Sequence, residues 1–487
     1  MTIAPTTGLN RLNMFIGGEW QSAQADRWIQ SIDPTTEKVI GEFPDSDDTD
    51  VARAVSAARE AMPGWRSLGW KRRADALREL AMRIRERQDK FAMLDTSDAG
   101  MPVTAMRRDA RNASDHLLYF AGLASELKGT TLEAPHGMLN YTLREPFGVV
   151  GRIIPFNHPF QFAAAKIAAP LAAGNTVILK PAEQTSLSAL ELGAVAQDIF
   201  PSGVLNIVTG RGASAGAALV RHPDVPRIAF TGSVPTGRTV LREAAEHIKV
   251  VTLELGGKNP MIVFPDVDVD AAARGAVAGM NLVGGQGQSC GSNSRLFVHE
   301  SIHDRFLDAL VRCVQNLKVG DPTHEDTDVG PLAFGEHFDR VMRLISEGTD
   351  EGAVLVSGGS RPTGLDAGYF VEPAIFDRVG PEMCLAREEI FGPVVSVSTW
   401  LDLDEVIRAA NALPYGLTAN IWTNNLSLAH QTAGAMQAGY VWINGSGVRL
   451  LGAPFGGYKL SGMGKENSFE ELLSYTQQKN ICVSFVS

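Results

Sequence analysis

The sequence predicts an α/β protein whose first large unit is a doubly wound, mainly parallel sheet and whose second half repeats the same alternation. Three observations predict it. Short β-branched runs at 148–154, 176–179, 205–208, 227–230 and 250–253 alternate with Ala-rich stretches such as 186–200, the pattern of successive βαβ units. These runs are apolar along their length rather than at every second position, so both faces of the sheet are covered. The alternation then restarts with a strand at 295–298, a helix over 302–317, a strand over 390–399, a helix near 404–411 and a strand at 441–444.

The remaining elements follow in chain order. Residues 47–95 read as two amphipathic packing helices, one carrying Val51, Val55 and Ala58 on its apolar face and the other Leu77, Leu80 and Ile84. Residues 284–291 hold four glycines in eight positions, which suits a hinge or a site where backbone comes close to a ligand. The terminal stretch 480–486 carries weakly alternating β-formers and is expected to add a strand to the sheet edge of another subunit.

Composition limits the function classes. At 487 residues the chain holds roughly three structural units at about 150 residues each. Hydrophobic residues at 44% and charged residues at 20% describe a folded globular protein rather than a disordered one. A net charge of −11 provides no positive field to gather a phosphate backbone, so no nucleic-acid partner is expected. The four cysteines, Cys290, Cys313, Cys384 and Cys482, show no paired spacing, which points away from a disulfide framework and from a zinc or other structural metal, and towards a reducing compartment. Residues 1–20 lack a basic stretch leading into an apolar core, and the most apolar window, 160–179, carries Lys166 and is broken by Pro170, Gly174 and Asn175. A cytoplasmic protein without a membrane partner is the expectation.

Three motifs are rejected. His299-Glu300-Ser301-Ile302-His303 matches a zinc-peptidase pattern, but a strand precedes it and a cap at Ser301 starts the helix after His299, so the histidines do not share a helix face. Gly212-Ala213-Ser214-Ala215-Gly216 matches a serine-hydrolase elbow, but Ser214 falls about a turn beyond the strand tip. Asp266, Asp268 and Asp270 open like a calcium loop, yet Ala271 and Val277 stand where glycine and a bidentate glutamate are required.

Three residues carry chemistry. Cys290 lies in the Gly-rich loop, unlike Cys313, which falls on the apolar face of a helix. Glu254 ends an apolar strand, where desolvation raises a carboxyl pKa and suits it to general-base work; the competing reading is an ion pair with Lys258. Asn157, between Pro155 and Pro159 just past a strand, offers a neutral donor to an oxyanion; the competing reading is a turn residue capping the next helix.

With these pieces in place the chain resembles the aldehyde dehydrogenase superfamily. The resemblance runs from about residue 15 to 479 through Pro155-Phe156-Asn157, Lys180-Pro181-Ala182-Glu183, Phe230-Thr231-Gly232-Ser233, Leu253-Glu254-Leu255-Gly256-Gly257, Gly287-Gln288-Ser289-Cys290, Glu388-Glu389-Ile390-Phe391-Gly392-Pro393 and Pro454-Phe455-Gly456-Gly457. It implies a Rossmann-like NAD-binding domain over 1–123 and 147–256, a catalytic domain over 257–460, and a small β oligomerisation arm from 124–146 and 475–487 that makes a homodimer or homotetramer. It also implies that Cys290 is the nucleophile, Glu254 the base, and Asn157 with the Cys290 backbone N–H the oxyanion hole.

For the cofactor, the resemblance puts Lys180 and Glu183 on the adenosine ribose, and a carboxylate there accepts hydroxyls but repels a 2′-phosphate, so NAD is expected over NADP. Gly232, Ser233 and Gly237 open a helix whose N-terminal amides suit a pyrophosphate. Glu389 and Phe391 resemble the contacts to the nicotinamide-side ribose, with a buried strand-edge acid as the competing reading. The chain departs from the family at His158, where an aromatic or aliphatic residue is commoner; Phe160 and Phe162 follow it towards the pocket. Arg449 and Phe455 fall at the substrate mouth. An aromatic or acidic aldehyde whose distal anion meets Arg449 is the expected substrate, against a solvent-facing loop arginine. An acylating dehydrogenase, a catalytically silent member of the fold, and more remotely a serine hydrolase built on Ser214 are the alternatives.

Overall fold

The computed structural model describes residues 11–485. Its first sheet has eight strands, with a parallel centre in the order Leu205–Ile207, Thr176–Lys180, Val149–Ile153, Arg227–Gly232, Val250–Leu255. The chain starts at Val149–Ile153, winds outward twice, then returns to its other side. The switch point therefore lies between Val149–Ile153 and Arg227–Gly232, and a crevice opens beyond their carboxyl ends. Every residue of Val149–Ile153 and of Thr176–Lys180 is buried, as expected for strands covered on both faces.

The second sheet has seven strands in the order Val354–Ser357, Ala374–Asp377, Val394–Trp400, Arg295–His299, Pro260–Val263, Thr418–Trp422, Tyr440–Ile443, parallel except at the first pair. The first sheet gains its last edge strand late in the chain. Gly462–Met463 pairs antiparallel with Val250–Leu255, placing Gly462 opposite Glu254.

The stretch 47–95 differs from the expected two helices. Helices run over Asp48–Ser67, Gly69–Glu86 and Gln88–Ala99, and a fourth, unforeseen helix covers Val103–Leu123. The third shows no apolar stripe because Asp95, Thr96 and Asp98 are buried beside Phe91 and Ala92. Periodicity cannot register buried polar groups whose partners come from other parts of the chain. The strand expected over 390–399 begins only at Val394, because Gly392-Pro393 interrupts it and Phe391 takes a left-handed φ of 59°.

The arm forms as one sheet, Thr476–Ser484 with Met138–Pro146 and Thr131–Leu132. The C-terminal strand pairs along its length with Met138–Pro146 of its own chain and lies at the sheet edge. Val486 of that expected strand lies outside the described residues, as do the first ten residues of the stretch read for a leader. Among the described residues no helix is long and apolar enough to cross a membrane.

Candidate active site

Asn157 is carried past the end of Val149–Ile153 into the crevice. Pro159 opens the helix Pro159–Ala165, whose first turn is capped from outside by Asp95, accepting the Phe160 N–H at 2.9 Å. The Asn157 amide instead donates to the Gln288 carbonyl at 2.8 Å, which removes the capping reading and ties Asn157 to the cysteine loop.

That loop is held by side-chain amides. Asn259 Nδ2 donates to the carbonyls of Cys290 (2.8 Å) and Ser292 (2.9 Å), Gln286 Nε2 to Gly100 O (2.7 Å), and Gln288 Oε1 accepts from Ala333 N (3.1 Å). Gly287, at φ 70°, passes so close to the Gly392 carbonyl that a Cβ would collide with it. Cys290 is half-buried, and among the described residues its backbone N–H makes no hydrogen bond. The free N–H and the second Asn157 amide hydrogen are the donors an oxyanion needs. Burial pushes the Cys290 thiol up, Arg449 pulls it down, and the charges of Glu254 and Glu389 push it further up.

Glu254 is buried at the end of Val250–Leu255 and neither carboxylate oxygen has a hydrogen-bond partner. It does not pair with Lys258, whose amino group is likewise buried and unpartnered. Burial, and then the negative charge of Glu466, raise the Glu254 pKa well above the ordinary carboxylate value. The glycines of the motif at Pro454 are explained here. A Cβ at Gly456 would lie 2.6 Å from Glu254 Oε1, so the glycine makes room for the carboxylate.

Sequence reasoning missed the group behind Glu254. Glu466 accepts from Arg152 at 2.6 Å and from Lys166, all three buried, and against burial these two cations hold Glu466 low. Lys166 was visible as a charge inside the most apolar window, and such a charge requires a partner; which acid supplies it was not readable.

On the cofactor side, Lys180 is buried with Nζ on Pro181 O (3.0 Å) and Glu183 Oε2 (3.3 Å), while the Glu183 carboxylate remains partly accessible. Against its partial burial, Lys180 keeps Glu183 below the usual carboxylate value. Ser233 is the N-cap of Val234–Ala245, exposed beside the switch point. Gly237 packs so tightly that a Cβ would sit 2.8 Å from Leu255, and a Cβ at Gly232 would meet the Phe230 ring. An exposed helix N-terminus after Arg227–Gly232, with an accessible carboxylate after Thr176–Lys180 two strands away, fits a dinucleotide with a free ribose diol. Glu389 accepts the Gly257 N–H at 2.9 Å and fills the space that a Cβ at Gly256 would occupy; burial pushes it up to about 7. Phe391 stands beside Phe156, ring centroids 5.7 Å apart.

The substrate residues divide. His158 Nδ1 bonds the buried carboxylate of Asp109, on Val103–Leu123, at 2.6 Å, a dyad that joins positions 49 residues apart and has no local sequence signal. Phe162 lies mostly buried beneath the His158 ring at 5.6 Å. Phe160 does not face the pocket: it is stacked on Phe91 in the core. Arg449 lies over the buried Phe455 ring at 4.1 Å, with Nη2 3.9 Å from Cys290 Sγ. The rejected motifs stay apart from this centre. His299 packs on the Trp400 ring, His303 bonds Asp377 at 2.8 Å, and Ser214 bonds the Arg211 carbonyl at 3.4 Å on the surface.

Comparison with known proteins gives the chain's relatives. The profile described as "Aldehyde dehydrogenase family" matches residues 20–481. The chain is 42% identical over 481 residues to aldehyde dehydrogenase tropH of Talaromyces stipitatus, covering 97% of this chain and 93% of that protein. It is 42% identical over 473 residues to hydroxyisobutyraldehyde dehydrogenase of Mycolicibacterium austroafricanum, with the same coverage. An aldehyde dehydrogenase of Bacillus cereus solved with NAD+ superposes with a TM-score of 0.95 at 40% identity, covering 98% of this chain and 97% of that one. PnpE of Pseudomonas sp. WBC-3, solved with nicotinamide adenine dinucleotide, gives 0.95 at 37% and 98% of both chains.

Proposed function

The chain belongs to the aldehyde dehydrogenase family and oxidises aldehydes with NAD; from that premise we propose that the oxidation passes through a covalent adduct on Cys290 and ends in hydrolysis to the free acid. The Cys290 thiolate adds to the aldehyde carbon, and the resulting oxyanion takes the free Asn157 amide hydrogen and the Cys290 backbone N–H. Lys180, Glu183, Ser233 and Glu389, in the walls of the crevice, would hold NAD, which when bound would accept the hydride released as the adduct becomes a thioester. Glu254 then takes a proton from the water that attacks the thioester carbon, and Cys290 leaves.

The observation that carries this reading is Glu254, a buried carboxylate without a partner whose charge acts on the Cys290 sulfur. A family member that hands its acyl group to coenzyme A does not need such a base, and a silent one does not need the trio. The test is NADH formation with aliphatic, aromatic and carboxylated aldehydes, without coenzyme A, beside Cys290→Ala. Turnover lost only in the variant supports the reading; no NADH from any aldehyde by protein that binds NAD overturns it.

Arg449, over the mouth, supports an aldehyde carrying an anionic or aromatic end. In Arg449→Leu the kcat/KM ratio of a carboxylated aldehyde to a neutral one of the same length is expected to fall; an unchanged ratio removes this substrate class. Exposed Leu132, Met138, Leu139 and Leu143 on the three-stranded arm support assembly as a homodimer or homotetramer through that sheet. Four cysteines without disulfide partners support a reducing, cytoplasmic setting.

A further inference from the structure

The Cys290 sulfur meets one cation. Arg449 donates from Nη2 to Sγ at 3.9 Å, and among the described residues no other side chain is hydrogen-bonded to that sulfur. The position of the guanidinium is built. Its plane rests on Phe455, itself packed against Tyr440, and its loop is anchored by Trp442 Nε1 donating to Val448 O at 2.6 Å. Gly291, next to the cysteine, leaves the space: a Cβ there would come within 2.9 Å of Arg449 Nη2. The other ionisable groups facing the sulfur oppose a thiolate. Glu254 approaches from Val250–Leu255 and Glu389 from the loop before Val394–Trp400, both as negative charges. His158, on the segment after Asn157, is engaged by Asp109.

We propose that Arg449 is the counter-charge of the Cys290 thiolate, so that a side chain of the substrate mouth prepares the nucleophile before any aldehyde arrives. The proposal rests on the reading of Cys290 as nucleophile. In a half-buried site with two carboxylates nearby, a thiol left to itself stays protonated at neutral pH, where the thiol form does not attack. A guanidinium at this distance favours the charged form, and Arg cannot lose its own charge in the working range. An anionic end on the aldehyde then binds the same guanidinium, so mouth recognition and nucleophile activation share one residue.

The experiment is the pH dependence of Cys290 alkylation by iodoacetamide, in full-length enzyme without aldehyde or NAD, followed by peptide mass spectrometry. Exposed Cys482 is the internal reference. In Arg449→Leu the Cys290 midpoint is expected to move up by about one unit, so alkylation near neutral pH slows about tenfold, while the high-pH plateau and Cys482 stay as in the wild type. Arg449→Lys recovers part of the shift. Added salt narrows the gap between the wild-type and Leu-variant midpoints. Gly291→Ala, which keeps the charge and displaces it, moves the midpoint in the same direction and guards against a folding defect in the first variant. Superimposable profiles for wild type, Arg449→Leu and Gly291→Ala overturn the proposal even if aldehyde turnover is intact. NADH formation that persists in Cys290→Ala overturns the underlying nucleophile reading instead.

Discussion

Glu254→Gln separates the two half-reactions, and the structure sets the size of the effect. Neither Glu254 oxygen has a hydrogen-bond partner, so the near-isosteric amide breaks no hydrogen bond, and what is lost is the base. General-base catalysis contributes about 10²–10⁴-fold, or roughly 3–5 kcal/mol at 1.36 kcal/mol per decade. Thiohemiacetal formation and oxidation use Cys290 and Asn157, which the substitution leaves in place. Rapid mixing with NAD and a good aldehyde will therefore show a burst of NADH approaching one per active site at close to the wild-type rate, followed by a steady state about 10²–10⁴-fold slower. Mass spectrometry of the quenched enzyme will show the acyl group on the Cys290 peptide. A burst lost together with the steady state, or a steady state within about threefold of wild type, would refute the assignment of Glu254 to hydrolysis.

The same carboxyl gives a pH prediction. Because burial raises the Glu254 pKa in the folded state, its charged form destabilises the fold, and that cost grows as pH rises from the ordinary carboxylate range through the raised value. The Tm of Glu254→Gln will accordingly exceed that of the wild type by a margin that widens with pH, as read by scanning calorimetry; a margin that narrows contradicts the raised pKa. Gly456→Ala puts a methyl 2.6 Å from Glu254 Oε1 and 2.6 Å from the Gly464 carbonyl, so it will reproduce the slow steady state of Glu254→Gln while keeping the burst. Asn157→Ala removes an oxyanion donor and will lower kcat by about 10²–10³-fold, with the burst slowed as well, which distinguishes it from the Glu254 variants in the same assay. Glu183→Gln removes the carboxylate beside Lys180 and will raise kcat/KM for NADP relative to NAD by about tenfold or more; comparable kcat/KM for the two cofactors in the wild type would refute the charge argument.

What the sequence determined by itself was local. Strand order along the chain, the continuous burial of the parallel strands, and the positions of Asn157 just past a strand, Glu254 at a strand's carboxyl end and Cys290 in a Gly-rich loop all follow from hydrophobic runs and turn residues, which act over short distances. The failures lie where a residue's role depends on a partner far along the chain. The helices Gln88–Ala99 and Val103–Leu123 bury Asp95, Asp98 and Asp109, so their apolar stripe is interrupted by groups satisfied from elsewhere, such as the Phe160 and Leu187 N–H groups and His158. The expected strand over 390–399 lost its first residues to Gly392-Pro393.

The site shows the same division. Glu254 was recognisable as a desolvated strand-end acid, but only the fold placed Gly456 against its oxygen and gathered Glu466, Lys166 and Arg152 behind it. Arg449 was recognisable as a charge at the mouth, yet its contact with the Cys290 sulfur joins positions 159 residues apart, across the space left by Gly291. Hydrophobic pattern and turn chemistry are written residue by residue; electrostatic partnership is decided only when tertiary packing removes water and fixes which charges face one another.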